Sequence, residues 1–122
     1  MITTGVAVVT GAGSGLGREI TRALLGAGWR VAAASRREDA LRDAISAPGL
    51  PALALGAAVP VATDVTDAGS VAALFETVRG RWGRVDLLVN NAGIFGPGGA
   101  VDEISLEDWR RAVDTNLTGA FL

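Results

Sequence analysis

The 122-residue sequence has no cysteine, no histidine, no tyrosine and no lysine. Each absence removes a chemistry. Without cysteine there is no disulfide, no thiolate nucleophile and no thiolate metal site. Without His, Tyr, Lys and Cys, the groups that most often move protons near neutral pH are missing and only carboxylates remain. Those carboxylates are spread along the chain without an obvious pair. If the protein is an enzyme, its acid–base residue is expected to lie outside this sequence. No apolar stretch is long enough to span a membrane, and Met1 is followed within a few residues by a strand-like run, not a signal peptide. A cytoplasmic protein with no membrane partner is the expectation. Positive charge is carried by arginine alone, scattered in a chain of net charge -2. No basic face results, so nucleic acid is not an expected partner.

What is present describes one globular domain, 1–122. Hydrophobic residues make up 49% and charged residues 20%, a composition of folded rather than disordered chains. Val6 to Val9, closed by Thr10, is a short β-branched run that suits a buried parallel strand. A glycine-rich turn follows, then a helical segment in which Leu16, Ile20, Ala23, Leu24 and Ala27 share a face, with Gly28 at its end. Val31 to Ala34 reads as a second strand, and Arg36 to Ala47 as a second helix closed by Pro48 and Gly49. Residues 49–58 read as a loop leading to a third strand over Val59 to Thr63. Val71, Leu74, Phe75, Val78 and Trp82 keep helical spacing, and Val85 to Val89 is a continuous apolar fourth strand. After a loop from Gly93 to Gly99, Ser105 and Asp108 give a capping-box-like start to a last helix.

Strand and helix therefore alternate four times. Parallel strands need crossover connections, so this pattern predicts an α/β, doubly wound parallel sheet with helices on both faces; as a Rossmann-type sheet its expected strand order is 3-2-1-4. Ligands of such sheets bind beyond the carboxyl ends of the strands. The first loop there is the segment Thr-Gly-Ala-Gly-Ser-Gly-Leu-Gly, with Thr10, Gly11, Ser14, Gly15, Leu16 and Gly17 as candidate binding residues. Glycines let backbone turn sharply and approach a pyrophosphate, and the following helix N-terminus offers free N–H groups to an anion. An ordinary glycine-rich turn is the plainer alternative. The spacing is neither G-x-G-x-x-G nor a P-loop; it is Thr-Gly-x-x-x-Gly-x-Gly.

That spacing resembles the short-chain dehydrogenase/reductase family, and three further matches follow in order. Asp64-Val65 follows strand three like the family's adenine-contacting pair. Asn90-Asn91-Ala92-Gly93 reproduces its Asn-Asn-Ala-Gly motif after strand four, which packs beside the cofactor in the resembling proteins. Asn116 matches its catalytic asparagine. The resemblance covers residues 5 to 122. The residues allow plainer roles as well. Asp64 could be a loop residue near a helix cap, and the asparagine pair could form a turn, since Asn tolerates left-handed geometry. Asn116 lies beside the apolar stripe Leu106, Trp109, Val113, Leu117 and Ala120, in or at the edge of the buried face. A buried amide needs hydrogen-bond partners, so it could be a satisfied core residue, part of a water-mediated proton relay, or both.

An enzyme choosing NAD usually carries an acidic residue at the end of strand two to bind the ribose 2′-hydroxyl. Ser35 stands there, with Arg36 and Arg37 behind it. Paired guanidinium groups suit a 2′-phosphate in charge and geometry, and positive charge at a helix start runs against the dipole. NADP is therefore the expected cofactor, NAD the lesser alternative. The family's serine and Tyr-x-x-x-Lys pair lie beyond the asparagine, and this sequence has no Tyr or Lys. The 122 residues are accordingly expected to be a truncated part of the enzyme and inactive alone, with Asn116 the one family catalytic position present. The resemblance implies hydride transfer with a small carbonyl or secondary-alcohol substrate, and a homo-oligomer at full length. A non-catalytic dinucleotide-binding or dimerising module is the other reading.

Overall fold

The computed structural model describes residues 5–46, 56–94 and 98–122. The close of the second helix at Ala47, Pro48 and Gly49, most of the loop after it, and residues 95–97 of the later loop lie outside them. Four parallel strands, β1 (Val6–Thr10), β2 (Arg30–Ser35), β3 (Ala58–Ala62) and β4 (Leu87–Val89), form one sheet in the order β3-β2-β1-β4. This is the predicted α/β Rossmann-type arrangement.

The sheet is apolar on both faces because helices cover both. Alternate β1 residues point opposite ways. Ala7 and Val9 join Val31, Ala33, Leu25, Leu41 and Ile45 on one side, under α1 (Gly15–Gly26) and α2 (Glu38–Ile45). Val6 and Val8 join Ala32, Ala34, Leu74 and Val78 on the other, under α3 (Ala68–Trp82). Asp67 caps α3 by accepting from Gly69 N at 2.9 Å, and Gly83 ends it in the left-handed region. A last helical stretch begins at α4 (Leu106–Val113), capped by Ser105 Oγ accepting from Asp108 N at 3.1 Å. It passes through a π-helical turn, Asp114–Thr118, into a final turn, α5 (Gly119–Phe121). No helix among the described residues is long and apolar enough to cross a membrane.

Several expectations are corrected in detail. The inward face of α1 is Gly17, Thr21 and Leu25, with Ile20 and Leu24 half-buried, whereas Leu16, Ala23 and Ala27 are exposed. Close approach of Gly17 to the first loop, rather than hydrophobicity, sets the helix's rotation. The second helix starts at Glu38, two residues late: Glu38 and Asp39 occupy its first turn, where the dipole favours them, and Arg36 precedes it. Strand three runs one residue earlier than predicted, although Thr63 N still donates to Ser35 O at 2.7 Å. Strand four shortens to three residues because Asp86 turns back to accept from Val6 N at 2.9 Å. The stripe of the last helix is not buried: Leu106, Trp109 and Leu117 are all more than half exposed. Nothing in the described chain packs over them.

Candidate active site

β1 ends at Thr10, whose hydroxyl ties the first loop to the fourth. Thr10 Oγ1 donates to Val89 O at 3.3 Å and accepts from the amides of Asn91 (3.0 Å) and Ala92 (2.9 Å). Asn91 Nδ2 in turn donates to Gly11 O at 3.2 Å. The asparagine pair therefore divides its labour. Asn91 braces the glycine loop, while Asn90 is exposed and lines a separate apolar hollow with Thr10 and Val65.

Three glycines at this turn are required by geometry. Gly11 and Gly15 have φ +62° and +53°, where side-chain-bearing residues are strained. A Cβ on Gly17 would collide with Gly11 O and come within 2.5 Å of Asn91 Nδ2. Bare backbone thus faces the start of α1. The first hydrogen bond of that helix runs from Arg18 N to Ser14 O at 3.2 Å, so the amides of Gly15, Leu16 and Gly17 precede the ladder, and the Ser14 side chain caps none of them.

Beside this loop lies a cleft of about 160 Å³ lined by Gly11, Ser35, Arg36, Asp64, Val65, Ala92 and Gly93, together with Ile94, Thr66 and Thr115. Seven of the predicted site residues therefore meet in one cavity. Ser14, Gly15, Leu16 and Gly17 stand at the neighbouring helix start. Arg37 is directed elsewhere, to Asp39 Oδ2 at 2.8 Å, and that carboxylate's hydrogen bond raises the pKa of the Arg37 guanidinium. Ser35 folds onto the same residue, donating to Arg37 O and accepting from Arg37 N. Arg36 has no ion-pair partner among the described residues.

Asp64 Oδ1 accepts from Thr66 Oγ1 at 2.6 Å and Thr66 N at 2.9 Å. The Thr66 hydroxyl first, then its amide, with Arg36 contributing less, hold the Asp64 carboxyl below its ordinary value. It is an ionised acceptor at neutral pH. Asn116 is exposed, not at a buried edge, yet held by two hydrogen bonds: Oδ1 accepts from Ile94 N and Nδ2 donates to Ile94 O, both at 2.8 Å. It sits within the π turn, a distortion that concentrates at functional sites. Ile94 opens a loop already expected to line one wall, whereas Thr66 and Thr115 were not expected in the cleft. Thr66 could have been read from the Asp-x-Thr spacing of a side-chain-stabilised turn; Thr115 carries no local signal. No group of three His, Cys, Asp or Glu among the described residues could hold a metal.

A doubly wound parallel sheet with a bare glycine loop at its carboxyl edge defines a nucleotide-binding Rossmann domain. Comparison makes the class specific. The family model for short chain dehydrogenases matches residues 5–122, and the chain belongs to that family of oxidoreductases. It is 41% identical over 123 residues to a D-threitol dehydrogenase of Mycolicibacterium smegmatis, covering 96% of this chain and 44% of the relative. Its fold is similar to an actinorhodin polyketide ketoreductase solved with NADPH (43% identity, TM-score 0.84, 97% of this chain and 44% of that one). A Burkholderia phymatum short chain dehydrogenase/reductase in complex with NAD gives 36% identity and a TM-score of 0.88, over 99% of this chain and 42% of the neighbour. The chain thus spans less than half the length of each protein.

Proposed function

We propose that this chain is the dinucleotide-binding part of an oxidoreductase that transfers a hydride between NADP and a small carbonyl or secondary-alcohol substrate. The observation that carries the reading is the tight packing of Gly11 and Gly17 against each other and Asn91, which leaves the uncapped first amides of α1 at the edge of the cleft. Backbone can approach a pyrophosphate there, and the exposed amides and helix dipole favour its charge. Thr10 and Asn91 hold that surface rigid from behind. The ionised Asp64 and the Val65 backbone line the far side of the cleft and would receive an adenine edge, with Ala92 and Gly93 as its wall. The nicotinamide, when bound, supplies or takes the hydride.

Preference for NADP over NAD rests on Arg36. Ser35 replaces the carboxylate that would accept from a ribose 2′-hydroxyl, and it is engaged with the Arg37 backbone. Of the two arginines, Arg37 is paired and Arg36 lines the cleft, so a 2′-phosphate would be met by Arg36. Asn116 acts here as a positioning residue. Both ends of its amide are engaged by Ile94, so it pins the loop after β4 to the last helix and does not itself exchange a proton. The exposed stripe Leu106, Trp109, Leu117 and Phe121 supports self-association of the full enzyme through this face. A cytoplasmic setting suits a chain without cysteine.

Titrating NADPH into the 122-residue chain and following energy transfer from its three tryptophans tests the reading. Saturable binding at micromolar to roughly millimolar concentration is expected, with no oxidation of NADPH when carbonyl compounds are added, since no His, Tyr, Lys or Cys is present to donate a proton. Failure to saturate overturns the cofactor reading; turnover overturns the assignment of the chemistry to residues outside this chain.

A further inference from the structure

The last helix touches the rest of the site at two points three residues apart, and only one of them is a hydrogen bond. Asn116 grips Ile94 in the loop after β4. Gly119 is buried, and a Cβ built on it would lie 2.8 Å from Val65 Cγ2 and 3.2 Å from both Val65 Cβ and Val65 O. The helix backbone therefore rests directly on the loop after β3. The Gly119 N–H also closes the π turn by donating to Asp114 O, five residues back. Just before Asn116, Thr115 lines the same cleft as Asp64, Val65 and Ile94.

We propose that Gly119 is a positioning residue that sets the spacing between the last helix and the Asp64-Val65 loop, and through it the affinity of the cleft for the adenosine half of the dinucleotide. The proposal rests on the dinucleotide reading above. Its physical basis is steric. A methyl group at 119 has no room against Val65, because packed interiors do not absorb an added carbon without displacement. Either Val65 and Asp64 move into the cleft, or the helix lifts and pulls Asn116 from Ile94. Intrinsic helix propensity acts in the opposite direction, since Ala favours a helix over Gly. A loss on Gly119→Ala would thus report the contact and not the helix.

The test uses the 122-residue chain, with 2′,5′-ADP as calorimetric probe and backbone amide NMR shifts of Val65 and Ile94 as the structural readout. Gly119→Ala is expected to weaken 2′,5′-ADP binding about tenfold, the effect of a modest overpacking strain, and to shift both amides together. Adding Val65→Ala removes Cγ2, the nearest atom, and is expected to recover most of the affinity and both shifts. Wild-type affinity in Gly119→Ala overturns the proposal, as does a loss that Val65→Ala does not reverse. If Gly119→Ala does not fold, recovery of folding in the double variant supports the contact and its absence overturns it. If the wild-type chain does not bind 2′,5′-ADP, the dinucleotide reading has failed; the paired shifts and their reversal then decide the steric coupling alone.

Discussion

The two ends of the β1–β4 pair use their polar groups in opposite ways. At the amino end, Asp86 accepts from Val6 N at 2.9 Å and from Arg84 Nε at 2.9 Å, so its hydrogen-bonding capacity is consumed within the chain. At the carboxyl end, Thr10 and Asn91 join two loops from behind and leave glycine backbone and helix amides facing outward. One end closes the sheet; the other holds a surface ready for a ligand. Stability and binding should therefore be separable by position along the same two strands.

The largest effect that could sharpen this contrast is expected at the carboxyl end. Gly17→Ala places a carbon against Gly11 O and Asn91 Nδ2 and is predicted to weaken NADPH binding by about a hundredfold or more, beyond the roughly 1–3 kcal/mol of ordinary overpacking, because it also displaces the loop and helix start that frame the anion site. Calorimetric titration checks it. Next is Asp86→Ala at the amino end, which leaves the Val6 amide without its acceptor. It is predicted to lower Tm by several degrees while leaving the NADPH Kd within about twofold of wild type. A matching loss of affinity would break the separation.

The smallest effect is acid sensitivity. The Arg84 hydrogen bond first, then the Val6 amide, hold the Asp86 carboxyl below its ordinary value. The folded pKa lies below the unfolded one, so the contribution is present above the unfolded value of about 3.9 and is lost as pH falls through the folded one. Asp64, depressed by Thr66, adds in the same direction. Tm should therefore fall below about pH 4, and Asp86→Asn should flatten part of that fall. An unchanged slope would count against the Asp86 staple.

How much of this was legible in the sequence differs along the chain. The run Val6–Thr10 announced a strand buried on both sides, and the alternation of elements announced a parallel sheet covered on both faces, because both follow from periodicity and from the need for crossovers; the order 3-2-1-4 followed only from the likeness to a Rossmann-type sheet. Helix rotation was not legible. Leu16 and Ala23 have the hydrophobicity of core residues, but α1 turns to bring Gly17 against Gly11, and such contacts between small residues leave no hydrophobic signature. The exposure of Asn116 and the π turn around it were hidden for a related reason: a single extra residue in a helix shifts which side chains face inward, and no local residue type marks it. At the site, Gly11, Arg36, Asp64 and Gly93, picked out from separate loops, line one cleft. That Arg37 turns to Asp39 while Arg36 faces the cleft depends on where α2 begins, and propensity places helix starts only to within a residue or two.

The central claim is that this carboxyl-end surface binds a dinucleotide and that Arg36 makes it prefer the 2′-phosphate. Parallel calorimetric titrations of NADP⁺ and NAD⁺ into the wild-type chain and Arg36→Ala test it most directly. NADP⁺ is expected to bind about tenfold or more tighter than NAD⁺, the scale of one charge-assisted contact, with most of that preference gone in Arg36→Ala and NAD⁺ affinity unchanged. Near-equal affinities in the wild-type chain, with NADP⁺ binding untouched by Arg36→Ala, would contradict it.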